Sequence, residues 1–389
     1  MPEEKIVVLG ITGSISAYKG VDIASRLGQA GFVVDVVLTE SATRLVAPLT
    51  FESITGRKAF TSLWNNEPGV THITLAGGAD AVLIAPATAN IIAKIASGIA
   101  DDMLSCIVLA THAPIIIVPA MHAAMYENPV TQKNLELLKE RGFIIVEPEE
   151  GRLASGDYGK GRLPDTATIL GAVKKELGKK EGLAGKKFVI TSGGTREPLD
   201  PVRFLGNRSS GKTGYFLAQA ARDRGAAVTL ITTCEPIGET VGIDVEYVST
   251  ASEMLTAVNR AVQNADCLIM AAAVADYRPA EPAESKIKKS ASELDVHLVA
   301  TVDILSQVKG DFLRVGFAAE TEDLEEGARK KLASKGLDLV VANDVSQPDT
   351  GFESDDNQVV LFFKDGREEK LPLMSKRALS HRILNVLHF

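Results

Sequence analysis

Two successive runs of alternating strand and helix patterns, separated by a charged stretch, constrain this chain more than any other feature. In the first run Lys5–Gly10, Phe32–Thr39, Asp80–Pro86, Pro114–Pro119 and Phe143–Glu147 are apolar segments of strand length. Between them Ala17–Ala30, Asn90–Ala110 and Thr131–Arg141 read as helices. Buried strands alternating with helices form parallel sheets covered on both faces. The rhythm stops at Lys174–Gly182, which is charged and carries two glycines, the composition of a linker. A second run then places strands at 187–191, 227–232, 266–272, 314–319 and 337–342. Helices fall at 212–224, 251–264 and 322–335. Gln358–Lys364 and Glu368–Leu373 predict a hairpin, because Asp365-Gly366 favours a tight turn, and a helix closes the chain near 375–387. The expectation is an α/β protein of two domains, 1–178 and 186–389, joined by 179–185. Each holds a mostly parallel sheet covered by helices, flavodoxin-like or Rossmann-like in the first and Rossmann-like with a C-terminal hairpin in the second.

Composition narrows the partners. A formal charge of −8 provides no basic surface for nucleic acid. Cys106, Cys234 and Cys267 are few, odd in number and far apart, which fits a reducing cytoplasm and argues against a disulfide framework. Cys106 and Cys267 sit in apolar runs and read as core. The charged start, Met1 to Lys5, is not that of a signal peptide, and no apolar run reaches membrane-spanning length. The expected location is therefore cytoplasmic, with no nucleic-acid or membrane partner.

The densest chemistry lies in residues 191–214, TSGGTREPLDPVRFLGNRSSGKTG. An apolar run, Phe188-Val189-Ile190, leads into glycines, small hydroxyls and arginines. Backbone N–H groups freed by glycine, with Arg196, Arg203 and Lys212, suit phosphate or carboxylate. Gly206–Thr213 also satisfies the P-loop pattern. A P-loop needs an apolar strand running into its first glycine, and Asp200–Leu205 is too short and polar to be one. In the first half Gly10–Ala17 joins a strand to a helix with glycines and serines. It lacks the dinucleotide spacing, so NAD is not indicated. Ala85–Asn90 and Pro119–His122 end two further strands, so all three turns should share the carboxyl edge of one sheet. Gly151–Arg162 is glycine-rich and reads as a mobile flap. His72 sits where strand propensity begins.

At these residues the chain resembles the bifunctional coenzyme A biosynthesis family, phosphopantothenoylcysteine decarboxylase fused to phosphopantothenate–cysteine ligase. The first half is similar to homo-oligomeric flavin-containing cysteine decarboxylases through the Gly10–Ser16 turn, His72-Ile73-x-Leu75, Ala85–Lys94 and Pro119-Ala120-Met121. The second is similar to the ligase through 191–214, Ala271–Arg278, Lys286-Ile287-Lys288-Lys289, Gly316–Thr321 and Ala342-Asn343-Asp344-Val345. Two positions depart from the family pattern. His122 holds a place usually taken by Asn, and Ser155 replaces the catalytic cysteine of the flap.

The resemblance implies that 4′-phosphopantothenate attacks CTP, forming an acyl-cytidylate that cysteine opens, with Mg²⁺ or another divalent cation on the phosphates. Ala273, Asp276, Lys286, Asp303, Ile304, Phe317, Lys331 and Lys335 would contact the nucleotide. Gly193, Gly194, Ser209, Ser210, Gly211 and Lys212 would hold substrate. Asn207 would bind the acyl intermediate and Arg203 assist its turnover. In the first half FMN would be held by Gly13, Ser14, Ser16, Thr39, Thr88 and Asn90, with His72 as base. Ser155 is too weak an acid to replace a thiol, so His122 is expected to supply the proton instead. The family assembles as homo-oligomers, which implies trimeric contacts through the first domain and pairing through the second. Two other readings stand beside this one: a P-loop NTPase with a regulatory flavoprotein domain, and an active ligase fused to an impaired decarboxylase-like subunit.

Overall fold

The computed structural model describes residues 4–64, 70–288, 294–320, 324–344 and 354–389. Lys289, Thr321 and Val345 of the quoted motifs lie outside them. The chain divides into two compact units, Met1–Leu177 and Gly178–Phe389.

The first unit is built on six parallel strands: β1 (Ile6–Ile11), β2 (Val33–Leu38), β3 (Ala59–Phe60), β4 (Ala81–Ala87), β5 (Ile115–Pro119) and β6 (Ile144–Ile145). They lie in the order β3-β2-β1-β4-β5-β6. β4 and β5 are buried along their whole length, as strands covered on both faces must be. The helix Lys19–Gln29 buries Ile23, Ala24 and Leu27, one stripe at helical spacing. Its Gly20 lets it sit close on the sheet; a Cβ there would stand 2.5 Å from Ile11 Cδ1.

Three local expectations change here. The expected helix Asn90–Ala110 is two helices, Ala89–Ser97 and Met103–Ala110. Gly98 ends the first in the left-handed region, at φ 72°, and Asp102 starts the second with a capping box to Ser105. His72 lies not at the start of a strand but in the helix Thr71–Gly78. Burial of Leu75 and Ala76 in the core outweighs the β-branched residues around them. The glycine-rich flap is a hairpin of β7 (Glu149–Arg152) and β8 (Tyr158–Arg162).

In the second unit the main sheet uses β9 (Lys187–Ser192), β12 (Ala227–Thr232), β13 (Ile243–Tyr247), β14 (Cys267–Met270), β17 (Leu313–Glu320) and β18 (Leu339–Asp344), all parallel. The expected hairpin, β20 (Val359–Phe363) and β21 (Glu368–Lys370), adds two antiparallel strands. Short pairs stand apart: β10 (Arg196–Pro198) with β11 (Phe204–Gly206), β15 (Tyr277–Pro279) with β16 (Leu298–Ala300), and β19 (Asp356–Asn357) with β22 (Met374–Ser375). The sheet order is β13-β12-β9-β14-β17-β18-β20-β21. Its parallel part repeats the strand order of the first unit, with the reversal between β9 and β14 as there between β1 and β4. Phe188, Ile190, Leu230 and Ile269 are fully or nearly fully buried at its centre, each burial worth ~1.5–3 kcal/mol.

Residues 179–185 form turns, with the Leu183 N–H donating to Arg224 O at 3.0 Å and its side chain in the same core. The P-loop alternative fails on geometry. Gly206 ends the antiparallel β10–β11 hairpin, and the buried strand β9 ends well upstream at Ser192.

Candidate active sites

In both units the chain reverses strand order beside the first strand, and open parallel sheets bind ligands in the crevice at such a reversal. In the first unit the three expected turns meet there. Thr12 Oγ1 donates to Pro86 O at 2.7 Å and accepts from Thr88 N at 3.0 Å. Ser14 Oγ donates to Ala120 O at 3.0 Å and accepts from Ser16 N at 3.3 Å. Gly13 is exposed and packs on Ser41, which a Cβ would meet at 2.5 Å. Thr39 and Thr88 cap the helices that leave β2 and β4, and Asn90 is exposed in the first turn of the second of these. The geometry thus brings together Gly13, Ser14, Ser16, Thr39, Thr88 and Asn90. His72 is half-buried on its helix, and none of the hydrogen bonds described here joins it to that cluster.

The flap is pinned to the turn after β5. Met121 N donates to Gly161 O at 3.0 Å, and Gly159 lies so close that a Cβ would stand 2.8 Å from that of Ala123. At its tip His122, Ser155 and Asp157 form one cluster. Ala124 N donates to His122 Nδ1 at 3.2 Å, which leaves the ring proton on Nε2, 3.0 Å from Asp157 Oδ2. Ser155 Oγ donates to the same oxygen at 3.0 Å. These bonds, His122 foremost, hold the Asp157 carboxyl below its usual range. Asp157 is the member that sequence reasoning passed over. Further along, Glu147 ties the flap strand to the unit. It accepts from Lys139 at 2.8 Å and Tyr126 Oη and faces Lys160 at 3.0 Å. Burial would raise its carboxyl, but these three partners hold it at about 2.

The second unit holds a cavity of about 590 Å³ at the carboxyl ends of its central strands. Its wall includes Asn207, Ser209, Ser210, Gly211, Lys212, Ala273, Asp276, Asp303, Ile304, Phe317, Lys331 and Lys335, most of the expected ligase set. Gly193 and Gly194 stand behind that wall. Ala273 N donates to Gly193 O at 2.8 Å, and a Cβ on Gly194 would lie 2.5 Å from Asn207 O. Asn207 Nδ2 donates to Val274 O at 3.1 Å, which fixes the amide at the rim. Lys331 donates to Phe317 O at 2.7 Å. Lys335 pairs with Asp303, which also caps a short helix through Ser306 N at 3.2 Å. Burial would raise the Asp303 carboxyl; Lys335 and Ser306 offset this and hold it below the usual range.

Arg203 and Lys286 do not line this cavity. Arg203 binds Asp200 at 2.8 Å and donates to Ile287 O at 2.5 Å, while Ile287 N donates to Asp200 at 3.2 Å. Arg203 therefore holds the loop that carries Lys286, which is itself exposed. The structure adds Asn343, Asn357 and Lys376 to the wall. Asn343 belonged to a quoted motif, but nothing in the sequence separates Lys376 from an ordinary helix lysine.

Residues 1–178 match the flavoprotein family, and residues 183–388 match the DNA/pantothenate metabolism flavoprotein C-terminal domain. Over 393 residues the chain is 44% identical to the coenzyme A biosynthesis bifunctional protein CoaBC of Bacillus subtilis (strain 168), covering 99% of this chain and 97% of that one. The chain belongs to the bifunctional coenzyme A biosynthesis family. Identity to the Escherichia coli (strain K12) member is 43% over 392 residues, with 98% and 96% covered. Among solved structures, the C-terminal domain of a CoaBC protein is 39% identical over 52% of this chain and 93% of its own, at a TM-score of 0.44. A PPC decarboxylase mutant complexed with pantothenoylaminoethenethiol is 32% identical over 44% and 97%, at 0.40. Members of the family carry phosphopantothenoylcysteine decarboxylase and phosphopantothenate–cysteine ligase activities, and this chain is an enzyme of that kind.

Proposed function

We propose that the second unit joins 4′-phosphopantothenate to cysteine at the expense of CTP through an acyl-cytidylate, and that the first decarboxylates the product with FMN. The observation that carries this is the convergence of Asn207, Ser210, Lys212, Asp276, Asp303, Lys331 and Lys335 on one cavity. A carboxylate attacking a triphosphate needs two anions brought together, and a wall rich in lysine offsets their repulsion. The Lys331 and Lys335 ammoniums, held by Phe317 O and Asp303, are assigned to the triphosphate. The Asn207 amide is assigned to the acyl carbonyl. Arg203 acts at a distance, by holding the 286–288 loop, and Lys286 is assigned to the nucleotide through the resemblance alone. Among the described residues no three His, Cys, Asp or Glu side chains gather to cage a metal; Mg²⁺ is assigned to the phosphates of the triphosphate through the resemblance alone.

FMN suits the switch point of the first unit. The exposed Gly13 turn and the hydroxyls of Ser16 and Thr88 offer donors where the strands end. Bound there, FMN would supply reversible two-electron oxidation, so that carbon dioxide departs without leaving an unstabilised carbanion. Gly13, Ser14, Ser16 and Thr39 would hold its phosphate side, and Thr88 and Asn90 its ring. His72 serves as base and His122 as proton donor, with Asp157 orienting His122 through its bond to Nε2. Ser155 spends its hydroxyl on Asp157, which keeps it out of that role. Ile15, Tyr18, Leu49 and Leu109 are exposed apolar side chains of the first unit, in keeping with a homo-oligomer; trimeric contacts there and pairing through the second unit are assigned through the resemblance alone. The location is taken to be cytoplasmic.

Purified protein incubated with 4′-phosphopantothenate, cysteine and each nucleoside triphosphate tests this. Mass analysis is expected to find phosphopantothenoylcysteine and then 4′-phosphopantetheine with CTP. No ligation product with any triphosphate would defeat the reading.

A further inference from the structure

Residues 281–288 carry Lys286 on a segment with no helix or strand of its own. Among the described residues, every hydrogen bond of that segment runs to the turn 199–203. Ala283 N donates to Leu199 O at 2.9 Å. Beyond Lys286, Ile287 N donates to Asp200 Oδ2 at 3.2 Å, and Arg203 Nη2 donates to Ile287 O at 2.5 Å. The Asp200 side chain is 0% exposed, and it divides its two oxygens between two tasks. Oδ1 accepts from Val202 N and Arg203 N, both at 2.8 Å, which folds the turn. Oδ2 accepts from the Arg203 guanidinium, at 3.0 Å from Nε and 2.8 Å from Nη2, and from Ile287 N. Burial would raise this carboxyl. The N–H groups of Val202, Ile287 and Arg203 and the guanidinium offset that and hold it below the usual range. The turn is the tip of the β10–β11 hairpin, and the chain runs on from that hairpin to Asn207–Lys212 on the cavity wall.

We propose that Asp200 is a positioning residue of the ligase: its carboxylate fastens the segment bearing Lys286 to the hairpin that leads into the cavity wall, and so sets where Lys286 meets the nucleotide. The assignment rests on the nucleotide role given to Lys286 in the ligase reading, and adds to it the group that holds that lysine in place. Lys286 is exposed, and on an untethered segment it would have to be ordered each time a triphosphate bound, with the chain around it. Every residue ordered on binding weakens affinity. Asp200 moves that ordering from the binding step into folding. It does so as a carboxylate because only an ionised side chain accepts from the guanidinium and from three backbone N–H groups together.

Steady-state ligation by the full chain tests this in a double-mutant cycle of Asp200→Asn and Lys286→Ala. The asparagine keeps the size of the side chain and one acceptor oxygen for the turn, but its NH2 would face the Ile287 N–H, donor to donor. Asp200→Asn is expected to raise the KM for CTP about tenfold and to leave the KM for cysteine unchanged. In the Lys286→Ala background the same change should leave the KM for CTP where it is, because the lysine it positions is gone. An unchanged KM for CTP in Asp200→Asn, while Lys286→Ala raises it, would overturn the positioning role alone. So would an equal rise in both backgrounds, which marks general damage to the site. If Lys286→Ala itself leaves the KM for CTP unchanged, the nucleotide role of Lys286 falls, and this inference with it. Amide hydrogen exchange of the parent chain carries the test should Asp200→Asn not fold. The Ile287 N–H is expected to exchange about tenfold or more slowly than those of Ser285 and Lys286, before any nucleotide is added. Exchange as fast as theirs would overturn the tether.

Discussion

Gly211→Ala tests the account where fold and site meet. Gly211 starts the helix that presents Lys212, at φ 74°, and its carbonyl accepts from Ser192 Oγ at 2.7 Å. An alanine there holds the left-handed conformation at a cost of ~1–2 kcal/mol. Its methyl would also lie 2.5 Å from Cys234 Sγ and 3.0 Å from Ser192 Oγ. Neither is the end of a long flexible chain, so relief requires backbone movement, an overpacking cost of about 1–3 kcal/mol. The sum is roughly 2–5 kcal/mol, which for a unit of this size lowers Tm by about 5–15 °C in scanning calorimetry of the full chain. Cys234→Ala removes the closest atom while leaving φ untouched. The double variant should therefore recover only the contact part, a coupling of about 1–2 kcal/mol. A Gly211→Ala transition within about 0.5 kcal/mol of the parent would refute both terms. Strict additivity with Cys234→Ala would refute the clash and leave the backbone argument.

The remaining expectations are more local. Asn207→Ala should let the acyl-nucleotide accumulate while its reaction with cysteine slows, which quenched-flow product analysis reads directly; unchanged overall ligation would remove Asn207 from its role. His122→Asn should impair decarboxylation strongly, whereas Ser155→Ala should be mild because its hydroxyl serves Asp157; product analysis showing the reverse order would exchange their roles. Glu147 has a folded-state value of about 2, below its unfolded one near 4.5, so its stabilisation is complete above that range and is lost as pH falls toward 2. Glu147→Gln should accordingly flatten the acid side of the stability profile of the first unit, and an unchanged slope in denaturant titrations between those limits would contradict the pairing. Lys335→Ala should raise the KM for CTP about tenfold or more and leave that for cysteine alone.

What could be read from the sequence was what local chemistry dictates. Runs such as Phe188–Ile190 and Ala227–Thr232 became central strands because little else suits a segment so apolar. The Gly10–Ser16 and 191–214 turns stood out because glycines and hydroxyls beside such strands serve ligands better than packing. Partner-dependent features stayed hidden. β13, with Asp244 and Glu246, is polar for a strand and is fixed by its pairing to β12 at the sheet edge. The strand order shared by the two units is a property of crossovers and leaves no mark on composition. Thr71–Gly78 looks like a strand until burial of Leu75 and Ala76 decides for a helix. Lys376 reads as a surface lysine because its burial depends on residues far away in the chain, and Arg203 reads as a catalytic group because its bond to Ile287 O joins residues 84 positions apart.

The central claim is that the lysine-lined cavity activates a carboxylate by cytidylylation before cysteine attacks. The most direct measurement uses 4′-phosphopantothenate labelled with heavy oxygen in its carboxylate, together with CTP and cysteine, and follows the label by mass spectrometry. An acyl-cytidylate must deliver one labelled oxygen to CMP when the amide forms, with pyrophosphate unlabelled. That is the result expected here. Label appearing in inorganic phosphate, with CDP as the nucleotide product, would mean that the carboxylate attacks the terminal phosphate instead, and would contradict the account.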